Sequence, residues 1–256
     1  MINLLRKMFG KSARPPGRER LSLVAEDFGA IYAVGDIHGC LAEYLAVEKR
    51  ILADAAGEPG QKLLVLLGDY IDRGPRSKDV LDYLGTDAPH GFTRVALCGN
   101  HDDAFLQWLR NPAGNMAWLE FGGHQTLHSY GINADHILRH GGGIKALGAA
   151  ALEVVPDSHI TLLETLPVLL EMGKLLFVHA GIRPKLALDE QLDEDLMWIR
   201  EPFLSDGPGG PWLVVHGHTV DKDPVFGNSR IGIDTGAFMS GRLTVLKIVG
   251  DEVEIL

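Results

Sequence analysis

KLLVLLGDYIDRG, residues 62–74, decides how the chain is read. Five consecutive apolar residues, 63–67, without polar alternation suit a strand covered on both faces. A glycine then turns the chain and delivers Asp69, Asp72 and Arg73 just past the strand's carboxyl end. Two carboxylates and a guanidinium so placed are costly for a core and useful for a site.

The same grammar recurs. AIYAV (30–34) runs into GDIHG, TRVAL (93–97) into CGNHDD, KLLFV (174–178) into HAG, and WLVV (212–215) into HGHT. RIGID and RLTVLKIV follow as later strand-like runs. Between the early runs, LAEYLAVEKRILADA from 41, SKDVLDYL from 77 and DAFLQWLR from 103 space their apolar residues three and four apart, as helices do. Strand alternating with helix predicts an α/β layered domain. In such a sheet, ligands sit outside the carboxyl ends of the strands. Five polar endings at that edge should therefore converge on one place.

Carboxylates, an amide and imidazoles without thiolate form a hard-to-borderline donor set, suited to Mn first, with Fe or Zn as alternates. Two carboxylates alone would leave the cluster negative. Two divalent cations with a bridging hydroxide make it attractive to a phosphate dianion, and such a pair can acidify water and clamp an in-line displacement at phosphorus.

The set GDIHG, GDYIDRG, GNH, HAG and GHT resembles the phosphoprotein phosphatase family of binuclear-metal phosphoesterases, in its bacterial serine/threonine form. The resemblance spans about residues 30–240. It implies a calcineurin-like metallophosphoesterase fold, a central two-sheet β-sandwich flanked by helices. It also implies that Asp36 and His38 bind one metal, that Asn100, His179 and His218 bind the other, and that Asp69 bridges them. His101 becomes the general acid for the leaving group, oriented by Asp72; Arg73 and, by a looser motif, Arg200 grip phosphate. His216 is left a packing role.

Departures refine the substrate. GNHD puts Asp102 where the family has a supporting glutamate. HAGIRP and GNHD also occur in symmetrical diadenosine tetraphosphatases, but those usually lack the second acid kept here as Asp72. The motifs therefore rank phosphate monoesters first, chiefly phosphoserine and phosphothreonine in proteins. Dinucleoside polyphosphates come second, and a non-catalytic metal-binding scaffold last. Val220 stands where a GH-x-H phosphodiesterase would carry its last histidine, against a nuclease.

Composition agrees. The 256 residues are 46% hydrophobic and 23% charged, enough to bury a large core. A net charge of −10 argues against a nucleic-acid partner. Arg6, Lys7, Lys11, Arg14, Arg18 and Arg20 against Glu19 give residues 1–20 a charge of +5, read as a basic, mobile leader before a single domain at 21–256. No apolar stretch has the length of a membrane span and no secretory signal is visible, so a cytoplasmic protein without stable membrane insertion is expected. Cys40 and Cys98 are too few for a disulfide framework and read as small buried hydrophobes.

Residues 111–150, rich in Gly and aromatics, read as a helical cap beside the site, and 200–211 as a mobile loop. Substrate choice is expected to reside in both. His90, His124, His128, His136, His140 and His159 follow no strand. The i, i+4 pair His124 and His128 suits a cap or substrate contact better than a third metal. Trp108, Trp118, Trp198 and Trp212 read as core or cap packing.

Overall fold

The structure, a computed structural model, describes residues 17–256. The apolar runs form parallel strands with two distinct faces. In β2 (Ala30–Val34), Ile31 and Ala33 point one way while Ala30, Tyr32 and Val34 point the other. β3 (Lys62–Leu66) divides in the same way. Ile31, Ala33, Leu63 and Val65 meet Leu170, Phe177, Val215 and Ile231 of a second sheet. The opposite faces pack on helices, so both need apolar cover and no polar alternation survives.

The first sheet is five-stranded: β4 (Phe92–Ala96) pairs parallel with β3, β3 parallel with β2, and β2 antiparallel with β10 (Val245–Val249), which carries β11 (Glu252–Ile255) at the edge. The second has six strands in the order β1 (Arg20–Ser22), β5 (Leu169–Met172), β6 (Leu175–Val178), β7 (Leu213–His216), β9 (Arg230–Gly232) and β8 (Val225–Gly227). Here β6, β7 and β9 are parallel neighbours. Each sheet thus contributes one parallel trio, and the loops after both trios meet at one end of the sandwich.

Helix α1 (Leu41–Ala55) spans the predicted segment and buries Leu41, Tyr44, Val47, Ile51 and Ala55 along one face. α2 (Ser77–Leu84) also matches. α3 (Asn100–Arg110) begins three residues before the expected start, so Asn100 and His101 lie on its first turn. The cap is helical but longer than expected. After a kinked turn at Leu119–Gly123 come α4 (His124–Ser129), α5 (Ala134–His140), α6 (Gly143–Val154) and α7 (Asp157–Thr165). It ends where α7 hands over to β5, because Leu163 and Leu166 join the buried core.

Two boundaries change. The expected leader falls largely on residues 1–16, outside the described residues. Its end belongs to the fold: Arg18 donates to the Leu163 carbonyl at 2.8 Å and pairs with Asp103 at 2.8 Å, and Arg20 opens β1 and donates to Leu188 and Gln191 carbonyls. The expected mobile loop at 200–211 holds a one-turn helix, Phe203–Asp206, anchored by the buried Phe203 ring. No single helix among the described residues is long and apolar enough to cross a membrane. Both cysteines are buried and unpaired.

Candidate active site

The turns after the two trios carry unusual backbone. His38, Asp69, Asp72, Arg73 and His218 all have positive φ, between 45° and 71°. A non-glycine residue pays for that conformation, and such residues collect at functional sites. The conformation has a visible purpose: Ile37 and His38 N–H groups donate to the Asp69 carbonyl, lacing the first loop to the second.

The six expected ligand positions come together. His38 Nε2 and His179 Nε2 each lie 3.5 Å from an Asp69 oxygen. Asn100 Oδ1 lies 2.8 Å from both His179 Nε2 and His218 Nδ1. The Asp36 carboxylate accepts from the His218 N–H at 3.1 Å. Two overlapping groups, His38–Asp69–His101 and Asp69–His179–His218, hold their ligand atoms within 4.8 Å of one another and share Asp69. All of these side chains are buried.

The donor set fits divalent cations. His218 Nε2 and Asp234 Oδ2 are buried without a hydrogen-bond partner among the described residues, a costly state that bound water or an ion relieves. His38 and His179 fix their Nδ1 atoms on the carbonyls of Ile71 and Leu67, each at 2.8 Å, leaving Nε2 for a cation. Arg73 Nη1 sits 3.0 Å from His38 Nε2 and so faces the atom a cation would take. Its guanidinium also lies 4.8 Å over the Phe238 ring.

Electrostatics separates the imidazoles. Burial pushes His38 down to about 3 and, helped by His179, His218 down to about 2, keeping both in the neutral form that binds metal. Burial opposes protonation of His101 too, but the Asp69 and Asp72 carboxylates outweigh it and raise that group. Divergent pKa values among neighbours mark divided roles. Burial, with Asp234 and then Asp69 nearby, drives Asp36 well above the ordinary carboxyl value; so crowded an acid calls for a cation.

His101 Nδ1 lies 2.7 Å from Asp72 Oδ2, leaving Nε2 toward the cluster. Asp72 also accepts from Trp118 Nε1 at 2.9 Å and Thr126 Oγ1 at 2.6 Å, both supplied by the cap. Burial raises the Asp72 carboxyl even against the opposing pull of His101 and these donors. Asp102 accepts three backbone N–H groups, from Gly99 at 2.9 Å, Asp69 at 2.8 Å and Tyr70 at 3.0 Å. It ties the start of α3 to the Asp69 turn. Gly122, at φ 116°, lets the cap touch that region: a Cβ there would lie 2.5 Å from the Arg73 nitrogen.

Arg200 is exposed and close enough to depress His218 electrostatically, with no side-chain hydrogen bond or ion pair among the described residues. His216 is buried, with Nδ1 3.0 Å from the Gly217 carbonyl oxygen and Phe203 against its ring, the packing role expected. Val220 is exposed. His124 and His128 line a surface pocket with Ile132 and Asp135 and belong to neither metal-capable group.

Sequence reading missed three participants. Asp234 follows β9 by two residues in GIDTG, the same strand-then-acid pattern. Trp118 and Thr126 had no local signal. Trp198 is also corrected: it is 37% exposed at the site's edge rather than packed away. Its helix, α8 (Asp193–Trp198), ends there, leaving the ring over the rim.

A sandwich whose parallel strands deliver carboxylates, an amide and imidazoles to one pocket, with phosphate-sized cationic groups beside them, defines a metal-dependent phosphoesterase. The chain belongs to the calcineurin-like phosphoesterase family, whose sequence model matches residues 29–237. It is 27% identical to a bis(5'-nucleosyl)-tetraphosphatase PrpE (asymmetrical) of Bacillus anthracis over 235 residues, 84% of this chain and 88% of that one. Among solved structures, a putative diadenosine tetraphosphatase superposes with TM-score 0.61 at 22% identity, covering 93% of this chain and 97% of that one. A cold-active protein-tyrosine phosphatase of a psychrophilic Shewanella superposes with TM-score 0.60 at 19% identity, covering 93% and 80%. The structural likenesses establish the fold.

Proposed function

We propose that the protein hydrolyses dinucleoside polyphosphates, using two divalent cations, manganese first among them. The observation that carries this choice is the length of the sequence likeness to the PrpE tetraphosphatases, 84% of the chain and 88% of the relative, too long to omit the cap. The order reached from the motifs alone, with phosphoserine and phosphothreonine first, is thereby reversed. Phosphomonoester hydrolysis stays as the second reading, favoured by the buried His101–Asp72 pair, since an alkoxide needs a proton to leave.

In this reading Asp36 and His38 would hold one cation, Asn100, His179 and His218 would hold the other, and Asp69 would serve both. When bound, the pair supplies Lewis acidity and an acidified water. Arg73 and Arg200 receive equatorial phosphate oxygens through their planar donor forks. Water attacks phosphorus in line, with no covalent intermediate. His101 gives the proton on Nε2 to the departing oxygen, and Asp72 steadies the imidazolium from Nδ1. Trp118 and Thr126 hold Asp72 in place.

The test compares kcat/KM of the Mn²⁺-loaded protein on diadenosine tetraphosphate, a phosphoserine peptide and a phosphotyrosine peptide, with products separated by chromatography. The expected result is preference for the dinucleotide by about tenfold or more, which corresponds to ~1.4 kcal/mol. A tenfold preference for either peptide refutes the proposal.

A further inference from the structure

Phe121 and Trp198 are large aromatic side chains left 45% and 37% exposed at the rim of the pocket. Their ring centroids are 6.3 Å apart, tilted by 60°. Phe121 stands edge-on to His101 at 6.2 Å, and Trp198 edge-on to His218 at 6.2 Å. The two rings therefore overlook both ends of the ligand cluster, one beside the proposed acid and the other beside a proposed metal ligand.

Their placement is built rather than incidental. Phe121 sits in the kinked turn at Leu119–Gly123, where Gly122 leaves helical geometry at φ 116°. The turn is fixed against the catalytic loop, because the Gly122 carbonyl accepts the Arg73 N–H. Trp198 is the last residue of α8, whose inward residues Leu196 and Met197 are buried. Exposed apolar rings cost stability in water unless something covers them, and a substrate with phosphorus at the ligand cluster would run out along this contacting pair.

We propose that Phe121 and Trp198 bind the base of a nucleotide substrate by its aromatic face. This rests on the dinucleotide reading above and adds the element that recognises the nucleoside. The leaving oxygen must lie near His101, so the group attached to it emerges toward Phe121. A nucleobase reaching that rim meets ring faces, and stacking of this kind is worth about 1–3 kcal/mol per base, or about 5–150-fold. Because stacking reads the face of a base, adenine and guanine substrates should differ by less than about threefold.

The experiment measures inhibition of p-nitrophenyl phosphate hydrolysis by ATP and by inorganic tripolyphosphate at constant free Mn²⁺. It is run on the intact protein and on F121A, W198A, F121Y and W198F. Expected is an ATP preference of about tenfold in the wild type, collapsing toward one in F121A and W198A and retained in F121Y and W198F. Equal weakening of both inhibitors, or an undiminished ATP preference in the alanine variants, overturns the proposal. So does a wild type that binds the two inhibitors equally. Turnover of diadenosine tetraphosphate by the wild type is scored separately. Absent turnover with an intact, ring-dependent ATP preference sinks the dinucleotide reading alone; turnover with no ring dependence sinks the base subsite alone.

Discussion

Replacing Asp72 by asparagine tests the proton donor at its support rather than at the imidazole. The side chain is fully buried and its Oδ2 receives both His101 Nδ1 and Trp118 Nε1, while Oδ1 receives Thr126 Oγ1. An amide can keep its oxygen on the first pair and turn its NH₂ to Thr126, whose hydroxyl has Ser77 Oγ 3.1 Å away as an alternative partner. Shape is thus preserved and the charge is lost. A hydrogen bond to a charged group contributes about 1.5–3 kcal/mol, so removing the charge should cost about 10–150-fold in any step that needs the His101 proton. The assay measures D72N against wild type on two phosphomonoesters, an alkyl phosphate with a poor leaving group and p-nitrophenyl phosphate with a good one. The alkyl ester should lose the full factor and the nitrophenyl ester less than about fivefold, since general acid catalysis scales with the demand for a proton. Equal losses on both would refute the assignment of His101 and Asp72 as acid and orienter.

Asp69→Asn removes the carboxylate common to both metal-capable groups, so Mn²⁺ retained after desalting should fall to one ion or fewer per chain; two ions retained would refute its bridging place. Asp102→Ala strands three buried N–H groups, each costing about 1–3 kcal/mol, and should lower stability by at least ~3 kcal/mol and Tm by about 6–12 °C. An unchanged melting curve would show that the carboxylate does not brace the turn. His159, buried between Tyr130 and Asp82, is held below its ordinary pKa by burial even though Asp82 opposes this. The folded chain then binds fewer protons than the unfolded one, so the stability from neutral His159 is present above about pH 6.5 and declines as pH falls. The gap in unfolding free energy between wild type and H159Q should narrow from pH 7.5 to 5.5, and a constant gap would contradict it.

Most of what positions the site is local, and local information is legible. The five strand runs with their five polar endings, and α1 and α2, were visible because a both-faces-buried strand must be continuous in apolar residues and its exit must be abrupt. What failed was long-range. β1 is three residues at an edge, and nothing in RLS announces that it pairs with Leu169–Glu171. β5 and β6 flank Gly173, at φ 63°, as a hairpin, but only the β6 half, KLLFV, reads as a strand from the sequence. The cap's reach to Asp72 depends on Trp118 and Thr126 crossing 46 and 54 residues of chain, which no periodicity encodes. Trp198 carries no mark separating a rim ring from a core one. Asp234 alone was readable, since it repeats a pattern already in use.

The meeting of two parallel trios also sets an order of assembly. Asp36 and His218 are hydrogen-bonded across 182 residues, and each proposed cation position draws on widely separated segments. Contacts so distant close late. During refolding, tight retention of manganese should therefore lag the recovery of helical signal, so that the ion acts as a latch on a finished sandwich rather than as a seed for it.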